Sequence, residues 1–380
     1  MGIKMNPFNE LCKKLAIDSS NASQQSLEKL IKYCQTYISQ DRVFKGSLEQ
    51  QFIAYRDLVT LYIETVLPNL NENDLCQNVS ELNNMSSLEY LVRAGFDRCI
   101  EKLKPQKNQI NTLFGLMSPL NIAASYGFQH TTRVLLELGA EPTLKNKQNE
   151  MPINYALRLP VLHNGELRKS KQTIFIELYK LAPETIAQQT IDGSTVTHQM
   201  AVHGYTELLS WVIEKKPELT TISNNQGNLP IHDAILNGQM AAVQVLLKGG
   251  DAERMVDFHE RNPLHYAALY GDKEMIELCS TAVNNIELPD KDERTPLMLA
   301  AYNGNLVALK FLLQVGADPS KKDKSGQNAL QISIDNNQLD IAECLLKLAN
   351  GQEPLSEHHQ SVLELMRQQA SNNNDSVTSF

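Results

Sequence analysis

Cysteine is scarce in this chain: its six copies, at positions 12, 34, 76, 99, 279 and 344, form no C-x-x-C pair. That excludes a disulfide scaffold and points to reduced thiols in a cytoplasmic compartment. No run approaches the roughly 18 consecutive apolar residues that a membrane-spanning helix needs. The N-terminus lacks the apolar core of a secretory signal. Met1-Gly2 is followed by Asn6, where a myristoylation motif wants Ser or Thr. Positive charge is not in excess either. Lys and Arg number 35 against 44 Asp and Glu, giving a net charge of −9, which does not favour a phosphate backbone; nucleic acid is not expected as a partner. Also missing are G-x-x-x-x-G-K, a G-x-G-x-x-G after a strand, H-E-x-x-H and G-x-S-x-G. No catalytic residue, cofactor or metal is expected on these grounds. What remains is the balance of a folded, soluble protein, with 42% hydrophobic and 21% charged residues over 380 positions.

The chain does have a repeat. Ser118-Pro119-Leu120-Asn121-Ile122-Ala123-Ala124 is followed by Gly127. Met151-Pro152-Ile153-Asn154-Tyr155-Ala156 and Thr195-Val196-Thr197-His198 come next. Leu229-Pro230-Ile231-His232-Asp233-Ala234 precedes Gly238, and Asn262-Pro263-Leu264-His265-Tyr266-Ala267-Ala268 precedes Gly271. Thr295-Pro296-Leu297-Met298-Leu299-Ala300-Ala301 precedes Gly304, and Asn328-Ala329-Leu330-Gln331-Ile332-Ser333 precedes Asn337. The key position falls at 119, 152, 196, 230, 263, 296 and 329, in steps of 33, 44, 34, 33, 33 and 33. Second halves agree: Leu135-Leu136, Leu246-Leu247, Leu312-Leu313 and Leu345-Leu346 recur in phase. Proline suits the first helical turn, a preceding Ser or Thr caps it, and the later glycine suits a left-handed helix end.

This pattern resembles the ankyrin-repeat family over residues 115–349. The resemblance implies an all-α fold, an ankyrin-repeat solenoid of helix-turn-helix units with short hairpin loops. Ser87 to Gly95 reads as a degenerate first repeat, so the array is expected over 85–349 with one degenerate and seven clear units. The 44-residue step holds an insertion near 159–170, with a basic Arg168-Lys169-Ser170-Lys171 run, and the second helix there is expected to resume near Thr173. Ser280 replaces the second leucine of its pair, so a loosened seam is expected after it. Residues 1–84 read as an N-terminal helical bundle, from the stripe Leu27, Leu30, Ile31, Cys34, Tyr37, Ile38 and a second one along Phe52 to Val66. Residues 350–380 are expected to give a capping helix over Pro354 to Arg367 and a disordered tail.

Two functional readings stand at this point. In the first, the chain is a monomeric scaffold or adaptor that grips a protein partner. The resemblance places that partner on the concave side, across hairpin tips and first-helix ends. Carried over by register, the candidate contacts are Tyr126, His203, Asn237, Phe258, Arg261, Tyr270, Lys291, Arg294, Tyr302 and Asn303. Tyrosine and arginine are the types that most often dominate binding energy. The Asn- and Gln-rich N-terminus and polar tail look similar to ankyrin effectors that intracellular bacteria inject into host cells, which would place the chain in the host cytosol. In the second reading, an enzymatic site lies in residues 1–84 or at their junction with the repeats, the array selects substrates, and Cys12, Cys34 and Cys76 are the candidate thiols. His198, His232 and His265 recur at repeat spacing, but repeats stack about 10 Å apart and zinc needs ligands near 2 Å. They are expected to be the motif's own inter-repeat residues.

Overall fold

A computed structural model describes residues 87–95, 97, 100, 101, 104–158, 165–348 and 357–377. The bundle expected over 1–84, with Cys12, Cys34 and Cys76, lies outside the described residues. The chain divides into two compact units, Met1–Ile186 and Ala187–Phe380. In the first, the helices are α1 (Ser87–Ala94), α2 (Lys107–Ile110), α3 (Pro119–Tyr126), α4 (Gln129–Glu137), α5 (Pro152–Leu157) and α6 (Gly165–Leu181). In the second they are α7 (Val196–His203), α8 (Thr206–Lys215), α9 (Pro230–Leu236), α10 (Met240–Lys248), α11 (Pro263–Tyr270), α12 (Lys273–Thr281), α13 (Pro296–Asn303), α14 (Leu306–Gln314), α15 (Ala329–Asp335), α16 (Leu339–Leu348) and α17 (Glu357–Val377). The described residues hold no named strand, as the all-α expectation required.

The motif residues act as their chemistry dictates. Ser118 Oγ accepts the Asn121 N–H at 3.2 Å and Asn328 Oδ1 accepts that of Gln331 at 3.0 Å, each closing the start of a first helix. Ala123, Ala124, Ala267, Ala268, Ala300 and Ala301 are fully buried. Their small size lets α3 lie on α5 in the first unit, and α7, α9, α11, α13 and α15 stack in turn in the second. Leu246, Leu312 and Leu345 fill the second-helix layer. The degenerate repeat keeps register, because α1 packs on α3 and Gly95 takes a φ of 70° close against the Phe128 ring.

Several expectations need correcting. Gly165 to Ser170 is helix, so α6 begins eight residues ahead of Thr173 and the basic run lies on it. Lys171 is buried there, and its Nζ donates to the Arg158 carbonyl at the end of α5. Residues 159–164 lie outside the described residues. At the other end, α17 runs on to Val377, past Arg367, because the polar residues 371–377 contain no Gly or Pro to stop it. It covers α15 and α16, burying Leu363 and Met366.

The seam after Ser280 is not loose. That position is only half-buried in the other repeats too, as at Leu247 and Leu313, so a serine costs little. Helices α12 and α14 pack, and Glu287 Oε1 accepts the Asp318 N–H at 2.7 Å across that seam. The loosened junction lies one repeat earlier: α10 and α12 touch marginally at most. The turn after α11 also departs from the others there. Gly127, Gly204, Gly238 and Gly304 all have φ between 64° and 75°, whereas Gly271 is extended at φ −76°, ψ 153°. Asp272 takes over as cap of α12, with Oδ1 accepting the Met275 N–H at 2.9 Å. The five-residue closure that Gln239 N–H makes on Ala234, or Asn305 N–H on Ala300, is missing from this turn.

Candidate functional site

The hairpin tips of the second unit are built on one local rule. Four of them, those after the Thr190–Ser194 tip, open on Asn or Asp, whose Oδ1 accepts the backbone N–H groups two and four residues on. Asp257 takes His259 and Arg261, both at 2.8 Å; Asp290 takes Asp292 and Arg294, both at 2.9 Å. Asn224 and Asp323 repeat the arrangement. Short polar side chains favour such turns because they mimic a backbone acceptor. Successive tips are joined by backbone bonds from Asn225 to Asp192, Lys291 to His259 and Lys324 to Asp292. The corresponding bond from Phe258 N–H to the Gln226 carbonyl is not made. Phe258 instead lays its ring on Gly227, where a Cβ would come within 2.5 Å of it.

Beneath the tips a polar network ties the array together. Tyr266 hydroxyl lies 2.6 Å from Asn228 Oδ1 and 2.9 Å from Asp257 Oδ2, and Asn228 Nδ2 donates to Asp233 Oδ1 at 3.0 Å. The Tyr266 ring stacks on His232 at 4.4 Å. Burial, reinforced by the Asp257 charge, raises the Tyr266 hydroxyl pKa well above its usual value. Burial also lifts the Asp233 carboxyl, against the hydrogen bonds from Asn228 and Asn224. The first unit uses the same position of the motif: Tyr155 hydroxyl bonds Glu150 Oε2 at 2.9 Å and receives Asn146 Nδ2 at 2.9 Å. Burial and Glu150 push Tyr155 up to about 12.

The three histidines are buried in the array, and every ring nitrogen except Nε2 of His265 is hydrogen-bonded there. Nδ1 of His198, His232 and His265 accepts the N–H of Thr195, Leu229 and Asn262. Nε2 of His198 and His232 reaches the carbonyls of Asn228 and Met255, each at 3.0 Å, and His265 faces that of Arg294. Burial lowers His232 and His265 to about 4, so both are neutral near pH 7. Cys279 is likewise buried and inert, its thiol pushed up to about 12. No group of three metal-ligating side chains occurs among the described residues.

Between the tips at Gln226 and at Asp257–Arg261 a cleft of about 260 Å³ opens. Among the residues around it are Gln226, Leu236, Asp257, His259, Arg261 and Tyr270. Beside it, fully buried Asp290 accepts Arg261 Nε at 3.1 Å and lies 3.6 Å from Arg294 Nε. Arg294 also bonds Asp292 and thereby holds that carboxyl below the usual range.

The sequence-derived candidates fall into three groups. Phe258, Tyr270 and Tyr302 are exposed, at 60%, 55% and 45%, as are Asn237 and Lys291. Arg261, Arg294 and His203 are half-buried, and the two arginines are committed to Asp290. Asn303 is a tie between repeats: its Nδ2 donates to the Leu269 carbonyl at 2.7 Å, and Asn305 Nδ2 donates to that of Gly271 at 2.9 Å. These bonds reach carbonyls that the altered turn leaves open. Tyr126 lies in the first unit, exposed and stacked on Phe128 at 5.6 Å. Sequence reasoning missed Gln226 and the Tyr266 network; a tyrosine three residues after the motif proline, at both 155 and 266, was the available signal.

A family model described as ankyrin repeats (3 copies) matches residues 197–287 and again 264–358. No curated protein matches the chain. Among the described residues no helix is long and apolar enough to cross a membrane.

Proposed function

We propose that this chain, a member of the ankyrin-repeat family through residues 197–358, works by holding a protein partner on the tip and first-helix face of its second unit, without chemistry of its own. Ankyrin repeats are in general protein-interaction modules. The observation that carries the reading is the exposure of Phe258, Tyr270 and Tyr302 at first-helix ends and a hairpin tip. Large aromatic side chains left in water beside a donor-bearing cleft are the usual anchors of an interface. The polar groups around them do not compete for the same role: the histidines and Asp257 are hydrogen-bonded within the array. The partner surface is centred on residues 258–303.

The test is capture of partner by Phe258→Ala with Tyr270→Ala. Both side chains are exposed, so the double variant should keep the melting temperature of the wild type and lose the partner. Arg294→Ala is the wrong probe, because it strips buried Asp290 of a neighbouring cation. Undiminished capture by the double variant rejects the surface.

A further inference from the structure

Among the described residues, one junction in the second unit lacks the ties that fasten its neighbours. It lies between the repeat of α9 and α10 and the repeat of α11 and α12. At the tips, backbone bonds join Asn225 to Asp192 on one side of it and Lys291 to His259 on the other, while Phe258 N–H makes no such bond to the tip before it. The motif histidines show the same gap. His198 Nε2 crosses to the Asn228 carbonyl at 3.0 Å, and His265 faces that of Arg294, each the closing residue of the following tip. His232 Nε2 does not cross to Arg261, the equivalent position. It lies 3.0 Å from the Met255 carbonyl, which precedes that tip. In the second-helix layer, α8 packs on α10 and α12 on α14, whereas α10 and α12 meet marginally at most. Cys279 and Ser280 stand there where the flanking repeats have Leu246-Leu247 and Leu312-Leu313. The smaller side chains leave α12 fewer atoms to set against its neighbour.

What holds this junction lies along its middle. Helix α9 packs on α11, the Tyr266 ring stacks on His232 at 4.4 Å, and its hydroxyl lies 2.6 Å from Asn228 Oδ1. All three side chains are buried. To one side of them is the cleft of about 260 Å³ between the tips. To the other is the thin α10–α12 contact, with an exposed tie from Glu253 Oε1 to the N–H groups of Asn284 and Asn285 at 2.7 and 3.0 Å. A contact firm in the centre and open at both edges is a pivot. Each repeat touches its neighbours alone, so a bend at one junction carries everything beyond it as one body. We propose that this junction is a hinge: residues 187–256 and 257–348 rock about the α9–α11 contact, with Tyr266 as the pin, one edge closing as the other opens. The rocking changes the width of the cleft between Gln226 and Asp257–Arg261, and it does not depend on what the face binds.

The experiment is pulsed electron spin resonance on the full chain, with two spin labels attached through encoded non-natural side chains so that the native cysteines stay in place. Ser210, Gln244, Glu277, Lys310 and Glu343 take the same place on successive second helices, and none of them is buried. Labels at 210 and 277 span the hinge, as do labels at 244 and 310, while labels at 277 and 343 span two junctions beyond it. Each pair is two stacking steps apart, about 20 Å, so the three distances compare directly. The two spanning pairs should give distance distributions at least about twice as broad as the third. Equal breadth in all three pairs, whether narrow or broad, overturns the hinge. Breadth in just one of the two spanning pairs puts the motion at a neighbouring junction and overturns it too.

Discussion

Removing a single oxygen, in Tyr266→Phe, tests the idea that the tips are fixed from below. The ring stays, so its stack on His232 is untouched. What is lost is the hydroxyl whose single proton is shared between Asp257 Oδ2 at 2.9 Å and Asn228 Oδ1 at 2.6 Å, all three residues being buried. A hydrogen bond to a charged acceptor contributes about 1.5–3 kcal/mol, and an acceptor left unserved in the interior costs a similar amount. Asp257 keeps its two backbone donors, which favours the lower half of that range, about 2 kcal/mol. Urea unfolding followed by circular dichroism should show the loss as a lowered midpoint at unchanged slope. Hydrogen exchange should speed up at His259 and Arg261, whose N–H groups hang on the same carboxylate. Tyr270→Phe is the control, because an exposed hydroxyl should count for less than about 0.5 kcal/mol. A Tyr266→Phe midpoint no lower than that of the control refutes the reasoning.

Three further outcomes follow from the same geometry. Asn303→Ala and Asn305→Ala should each destabilise the second unit by about 1 kcal/mol, because each frees a helix-end carbonyl; unchanged unfolding midpoints would show that water replaces the amides. His232 and His265 have folded values near 4 against 6.5 unfolded, so between those limits the unfolded chain binds more protons. Their stabilising effect is complete above pH 6.5 and is lost as pH falls through 4, by about 3 kcal/mol each at most. Urea unfolding between pH 7.5 and 5 should follow that slope, and His232→Gln should flatten it; equal slopes in the two proteins would contradict the assignment. Burial of Lys171, helped by Arg158, lowers its amine to about 8 from 10.5. Folding is therefore penalised below pH 8 and relieved as pH rises toward 10.5, so the stability of wild type relative to Lys171→Met should improve from pH 7.5 to 9.5. A constant difference across that range would mean that Lys171 reaches solvent.

Proline 263, the alanine pair at 267 and 268 and the 33-residue period were enough to place the helix pairs, because those residue types have few other uses in combination. The same letters misled at Gly271. A glycine in the expected place still turned extended, with Asp272 next to it as the cap of α12; a capping side chain alone does not force this, since Asn305 caps α14 beside a left-handed Gly304. Ser280 misled in the opposite direction, because a half-buried position tolerates what a buried one would not. Gly165 and the Arg168–Lys171 run read as punctuation and loop, yet nothing after Gly165 opposes a helix. At the site, register alone located Phe258, Tyr270 and Tyr302 at the ends of elements. It could not show that Arg261 and Arg294 share Asp290, nor that Asn303 is spent on Leu269, since those bonds exist only once one repeat lies on the next.

The partner surface is tested most directly by photo-crosslinking from single positions of the full chain in the presence of its partner. A photoreactive amino acid at position 258 or 270 should capture the partner, while the same group at exposed Val307, on second helix α14, should not. Capture from 307 with none from 258 or 270 would contradict the account.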